Sequence, residues 1–160
     1  MSNINKSVSA KIASLLRPDA INLNITATAK EPALREVATL LSQCGCILSF
    51  EAFFAEILER ERVSNTALWN DVAIPHARTE QCTEILIAVG RSPAGIAFES
   101  NDGQPVRLIF LIGTPKQMVT EYLRVVGNLA RLLRQDSLRQ ALLDAPDAAS
   151  FIQIIATAEG

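Results

Sequence analysis

Val106-Arg107-Leu108-Ile109-Phe110-Leu111-Ile112 is the stretch on which the fold turns. Its apolar residues fall on both sides of an extended chain, the pattern of a strand covered on two faces. Ile85-Leu86-Ile87-Ala88-Val89 has the same character. Two such strands need an apolar layer above and another below, and the flanking sequence supplies both as helices. Beyond Gly113-Thr114-Pro115, the residues Met118, Tyr122, Val125, Val126, Leu129 and Leu133 recur at helical spacing. Two shorter helices are predicted over 137–143 and 148–158, the second capped by Asp147. Between the two apolar strands, 93–105 reads as a connection, with turn chemistry at Asn101-Asp102-Gly103.

Working back toward the start, Glu31-Pro32 opens a helix with the stripe Leu34, Val37, Ala38 and Leu41, and Gly45 suits its C-cap. Ser49 caps the next helix, with Glu51 at the positive end of its dipole and Phe50, Phe53, Phe54, Ile57 and Leu58 as its buried face. Val8, Ile12 and Leu15 predict a helix over 8–16, and Ile21-Asn22-Leu23-Asn24-Ile25 alternates as a half-buried strand. Strands interleaved with helices predict an α/β fold: one domain over 1–160, a sandwich whose mixed sheet of about five strands carries helices on both faces.

Composition narrows the functional classes. A net charge of −2 over 160 residues offers no basic face for nucleic acid. No apolar run approaches the roughly 18 residues of a spanning helix, and Met1-Ser2-Asn3-Ile4-Asn5-Lys6 lacks a signal peptide's apolar centre. The expectation is a soluble cytoplasmic protein without membrane insertion. Cys44-Gly45-Cys46 admits a metal or redox pairing, but the chain has one histidine and, with Cys82 its one further cysteine, no second close cysteine pair to complete a zinc-site spacing. Free thiols, buried or half-buried, are the simpler expectation. Neither a GxxxxGKS loop nor a GxSxG elbow occurs, which argues against a nucleotide cofactor and against a serine hydrolase.

His76 is the only histidine, and it follows Val72-Ala73-Ile74-Pro75. The proline fixes its own φ and pushes Ile74 toward an extended conformation, so the imidazole is presented at a strand's end by stiff neighbours. Neutral imidazole is a nucleophile near pH 7. The residues alone leave a second reading open, that of a partly exposed histidine bonded to a carbonyl. Arg60 likewise reads either as a site cation or as a solvated helix-end charge balanced by Glu61.

Arg60-Glu61-Arg62-Val63-Ser64-Asn65-Thr66, followed by Val72-Ala73-Ile74-Pro75-His76, resembles the signature of the mannitol/fructose-type enzyme IIA domain of the bacterial phosphoenolpyruvate-dependent phosphotransferase system. Phe98-Glu99-Ser100-Asn101-Asp102-Gly103-Gln104-Pro105-Val106 is similar to that family's turn into a central strand, and the nitrogen-regulatory branch is the nearest likeness. The resemblance implies that His76 accepts a phosphoryl group from a histidine phosphocarrier protein and passes it to an enzyme IIB or uses it to alter regulatory contacts. It implies that Arg60 and the Thr66 hydroxyl hold the phosphate, with no cofactor or metal. A guanidinium that spans two phosphate oxygens suits that work, because phosphoryl transfer depends on positioning and charge stabilisation. The family usually carries a second histidine on the helix after the last central strand. Tyr122 stands there in this chain, with Arg124 two residues on, and either is a candidate substitute. Ser64, Ala67, Trp69 and Asp71 stand where nitrogen-regulatory members tend to have glycine, narrowing backbone freedom around the site. Two functions follow: an active carrier, or a binding module of the same fold in which phosphorylation is impaired.

Overall fold

β6 (Val106–Pro115) is the spine around which the other strands are ordered. It pairs antiparallel with β5 (Leu86–Ile96), with Val89 opposite Phe110 and Leu86 opposite Gly113. On its other edge it runs parallel to β3 (Val72–Ala73) and then to β4 (His76–Thr79). β1 (Ile21–Asn22) joins β5 in parallel, and β2 (Ala67–Leu68) joins β3 antiparallel, giving a mixed sheet of six strands. The structure is a computed structural model that describes residues 11–68, 71–98 and 103–160. Trp69, Asn101 and Asp102, and Val8 of the predicted first helix, lie outside the described residues.

Alternation along β6 divides the core. Ile109 and Leu111 face one cluster, with Leu34, Val37, Phe53, Phe54 and Ile57. These come from α2 (Lys30–Thr39) and α3 (Phe50–Val63). Leu108, Phe110 and Ile112 face the other cluster, with Ile12, Val125, Leu129, Leu142, Phe151 and Ile155. Those belong to α1 (Ile12–Leu15), α4 (Val119–Leu132), α5 (Asp136–Asp144) and α6 (Ala148–Glu159). Helices therefore cover both faces, as the doubly apolar strands require. Ser49 and Asp147 cap α3 and α6 through the amides of Ala52 and Ser150. Among the described residues no helix is long and apolar enough to cross a membrane.

Several boundaries differ from the sequence reading, each for a local reason. β5 does not stop at Val89 but continues through Pro93 to Ile96. A register shift between Arg91 and Ile96 accommodates the proline, and the Ser92 hydroxyl accepts from the Gly95 amide at 3.0 Å. The alternating segment 21–25 keeps only two paired residues, although the Ile25 amide still donates to the Arg91 carbonyl at 2.9 Å. Gly45 is not the C-cap of α2. That helix ends at Thr39 and tightens into successive three-residue turns through Leu41, Ser42 and Cys44, leaving Gly45 at φ +77° in the turn that follows.

Candidate active site

Ile74-Pro75 interrupts the line of pairing along β6. β3 ends at Ala73 and β4 begins at His76, so His76 opens a strand rather than closing one. Proline has no amide proton, and pairing resumes instead with the Ile112 amide donating to the Pro75 carbonyl at 2.9 Å. The bend brings His76 Nδ1 to 2.6 Å from the Ile74 carbonyl oxygen. A carbonyl only accepts, so Nδ1 carries the proton and the neutral ring keeps its lone pair on Nε2. His76 is 9% exposed. Burial lowers its pKa from the ordinary histidine value, and the Arg60 cation acts in the same direction; the Ile74 carbonyl and Glu61 oppose them. At pH 7 the ring is neutral.

Arg60 and Glu61 are adjacent in the last turn of α3 but serve opposite sides of it. Arg60 Nη1 donates to the Ser64 carbonyl at 3.1 Å. Its other donors make no hydrogen bond among the described residues. Glu61 is buried. It accepts from the Thr66 amide at 2.9 Å and the Thr66 hydroxyl at 2.7 Å, and it pairs with Lys30 Nζ at 2.9 Å. Glu61 is thus not the counter-charge of Arg60. The single Thr66 hydroxyl proton goes to Glu61, while the Thr66 carbonyl accepts from the Ile74 amide at 3.2 Å. A continuous chain of bonds runs from Lys30 through Glu61, Thr66 and Ile74 to the imidazole. The sequence by itself offers Glu61 only as a charge balancing Arg60. The available signal was an acid in the last turn of a helix, where the dipole disfavours it.

Tyr122 does stand beside the histidine, with ring centroids 5.5 Å apart at an interplanar angle of 52°. A cleft of about 380 Å³ opens there along the free edge of β4, lined by Glu56, Glu59, Arg60, Val63, Ala77, Arg78 and Tyr122. Arg60 and Tyr122 thus meet at the cleft, with His76 against the tyrosine ring. Thr66 and Arg124 are not among its lining residues. Arg124 is exposed, about 200° further round α4 than Tyr122. Asp71, at φ +70°, carries an ion pair to Arg107 of 2.6 Å, so its charge is engaged there.

The cysteines are free: Cys82 is buried, and Cys44 and Cys46 are half-buried. The Cys46 thiol donates to Glu84 at 2.9 Å, a bond that pushes its pKa up to about 12; burial does the same for Cys82. Both remain protonated thiols, and among the described residues no group of side chains is disposed to hold a metal ion.

A sequence model of the phosphoenolpyruvate-dependent sugar phosphotransferase system family EIIA 2 matches residues 14–158. The chain belongs to this family. A PTS system fructose-specific EIIABC component of Bacillus subtilis (strain 168) is 37% identical over 145 residues, which is 91% of this enzyme IIA chain. The chain spans only 23% of that relative's own length. A nitrogen regulatory protein of Bradyrhizobium diazoefficiens is 32% identical over 145 residues, covering 91% of this chain and 94% of the relative. The crystal structure of nitrogen regulatory protein IIA-Ntr from Neisseria meningitidis superposes with a TM-score of 0.84 at 30% identity, over 90% of this chain and 98% of that one.

Proposed function

We propose that this EIIA chain is a phosphoryl carrier of the bacterial phosphotransferase system, with His76 as the phospho-acceptor and a regulatory rather than a sugar-uptake role. The observation that carries the reading is the bond from Nδ1 to the Ile74 carbonyl, which leaves Nε2 as the nucleophile. The Nε2 lone pair attacks the phosphorus of a phosphohistidine on a phosphocarrier protein. The donor's P–N bond breaks, and its electron pair returns to the donor's ring. Nδ1–H stays on the Ile74 carbonyl throughout, so the ring does not turn as the bond forms. Arg60 takes two phosphoryl oxygens with its open donors. Thr66 and Glu61 act behind the ring by fixing Ile74, and Tyr122 packs against the imidazole where the family usually has its second histidine. No metal or nucleotide is required. The nitrogen-regulatory relative of matching length favours output through regulatory target proteins, with an enzyme IIB as the other acceptor class, in the cytoplasm and over the chain as one domain.

Two observations favour the alternative, a phosphorylation-impaired binding module. His76 is 9% exposed, and a neighbour without basic character replaces the second histidine. The two readings separate on incubation with phosphoenolpyruvate, enzyme I and phosphocarrier protein. The carrier gains about 80 Da in an acid-labile, base-stable form, and His76→Ala gains nothing. Arg60→Ala slows transfer by about 10²-fold or more. A wild-type chain that stays unmodified with every cognate donor overturns the carrier reading.

A further inference from the structure

The cleft beside His76 contains a second guanidinium. Arg78 lies two residues after His76 on β4, and side chains two apart in a strand project to the same side. Both meet the same ring: the Arg78 guanidinium carbon is 5.7 Å from the Tyr122 centroid, and the His76 ring is 5.5 Å from it. We infer that Arg78 is a second phosphate-holding residue, which with Arg60 grips the phosphoryl group on His76 while Tyr122 serves as its platform. This rests on His76 being the phospho-acceptor.

The two arginines are prepared alike. Each gives one Nη1 bond to a backbone carbonyl, Arg60 to Ser64 at 3.1 Å and Arg78 to Lys116 at 2.8 Å. Neither makes another hydrogen bond among the described residues, so of five N–H donors on each fork most stay open. One nitrogen anchored with the rest open describes a pre-positioned anion clamp. The carboxylates in the same cleft are both turned to other work. Glu56 accepts from the Thr79 hydroxyl at 2.8 Å, and Glu59 pairs with Arg62 at 2.8 Å. A phosphoryl group presents more oxygens than a single guanidinium spans bidentately. Tyr122 brings no positive charge, but its ring face holds a cation in place. The charge that a second histidine would bring is supplied here from the strand.

The test uses the full chain and two readouts: single-turnover phosphoryl transfer from phosphocarrier protein, and NMR shifts of the His76 ring on titration with inorganic phosphate. Arg78→Gln is expected to slow transfer by about tenfold or more and to weaken the phosphate-induced shifts, with the thermal midpoint little changed. Arg78→Lys, which keeps the charge but loses the fork, is expected to fall between the two in both readouts. Wild-type transfer and wild-type phosphate shifts in Arg78→Gln overturn the assignment. Should that variant fail to fold, Arg78→Lys decides: wild-type behaviour in both readouts overturns the assignment, and intermediate values support it. If the wild-type chain takes no phosphoryl group from any donor, the carrier function falls, and the phosphate titration still judges Arg78 by itself. No phosphate-induced shift in the wild type overturns Arg78 as well.

Discussion

The proton on Nδ1 of His76 and the burial of the ring act on the same equilibrium, and its sign is fixed. In the unfolded chain the ring has an ordinary histidine pKa; in the folded chain that pKa is lower. The unfolded state therefore binds its proton first as pH falls. The stability tied to a neutral His76 is complete above about pH 6.5 and is lost progressively between there and the lower folded value. Urea unfolding at pH 8 and pH 5.5 is expected to show a larger acid loss for wild type than for His76→Gln; equal losses contradict it. Thr114 offers a second prediction at this scale. Its hydroxyl is fully buried and has no partner among the described residues. Thr114→Val removes an unsatisfied polar atom at nearly constant shape, so a gain of about 1 kcal/mol is expected by denaturant titration.

At the scale of elements, close approach of helix to sheet decides what is tolerated. A Cβ at Gly90 would stand 2.5 Å from Val37 Cγ2, and one at Gly113 would stand 2.7 Å from both Cys82 Sγ and Phe53 Cε1. These glycines let α2 and α3 sit down on β5 and β6. Gly113→Ala and Gly90→Ala are each expected to cost about 1–3 kcal/mol, because packed neighbours must shift to admit the methyl group; unchanged urea midpoints would refute this. The helices themselves were legible from spacing, since their apolar stripes are continuous and Ser49 and Asp147 mark two of the starts. The far half of β5 was not. Ser92-Pro93-Ala94-Gly95 has turn composition and bulges out between the pairs at Arg91 and Ile96, with Gly95 at φ +92°; only the pairing with β6 regained at Ile96 carries the strand beyond it.

Across the whole molecule, Arg91 links parts far apart in the chain. Its Nη1 donates to the carbonyls of Leu142, Leu143 and Ala145 at 2.9, 3.0 and 2.8 Å, and its Nε donates to the Leu23 carbonyl at 3.2 Å. One guanidinium thus ties β5 to the C-terminal end of α5 and to the segment after β1. Arg91→Met is expected to cost about 3 kcal/mol, a fall in Tm of roughly 6–12 °C for a chain of this size. Arg91→Lys recovers only part of it, because an ammonium lacks the fork. Calorimetry that finds Arg91→Met as stable as wild type rules this out.

The α/β layering and the place of His76 against Pro75 were settled by local order alone: hydrophobic period and proline geometry act through near neighbours, and the chain carries both wherever it goes. What required the tertiary structure was the choice of partners. Glu61 holds Thr66 and Lys30 rather than balancing Arg60, and the Thr66 hydroxyl is spent on that bond. Arg78 joins the site because β4 lies at the free edge of the sheet, beside Tyr122 of α4. Hydrogen bonds and ion pairs act over a few ångströms between groups that sequence distance does not order, so only the folded chain decides which of the competing partners meet.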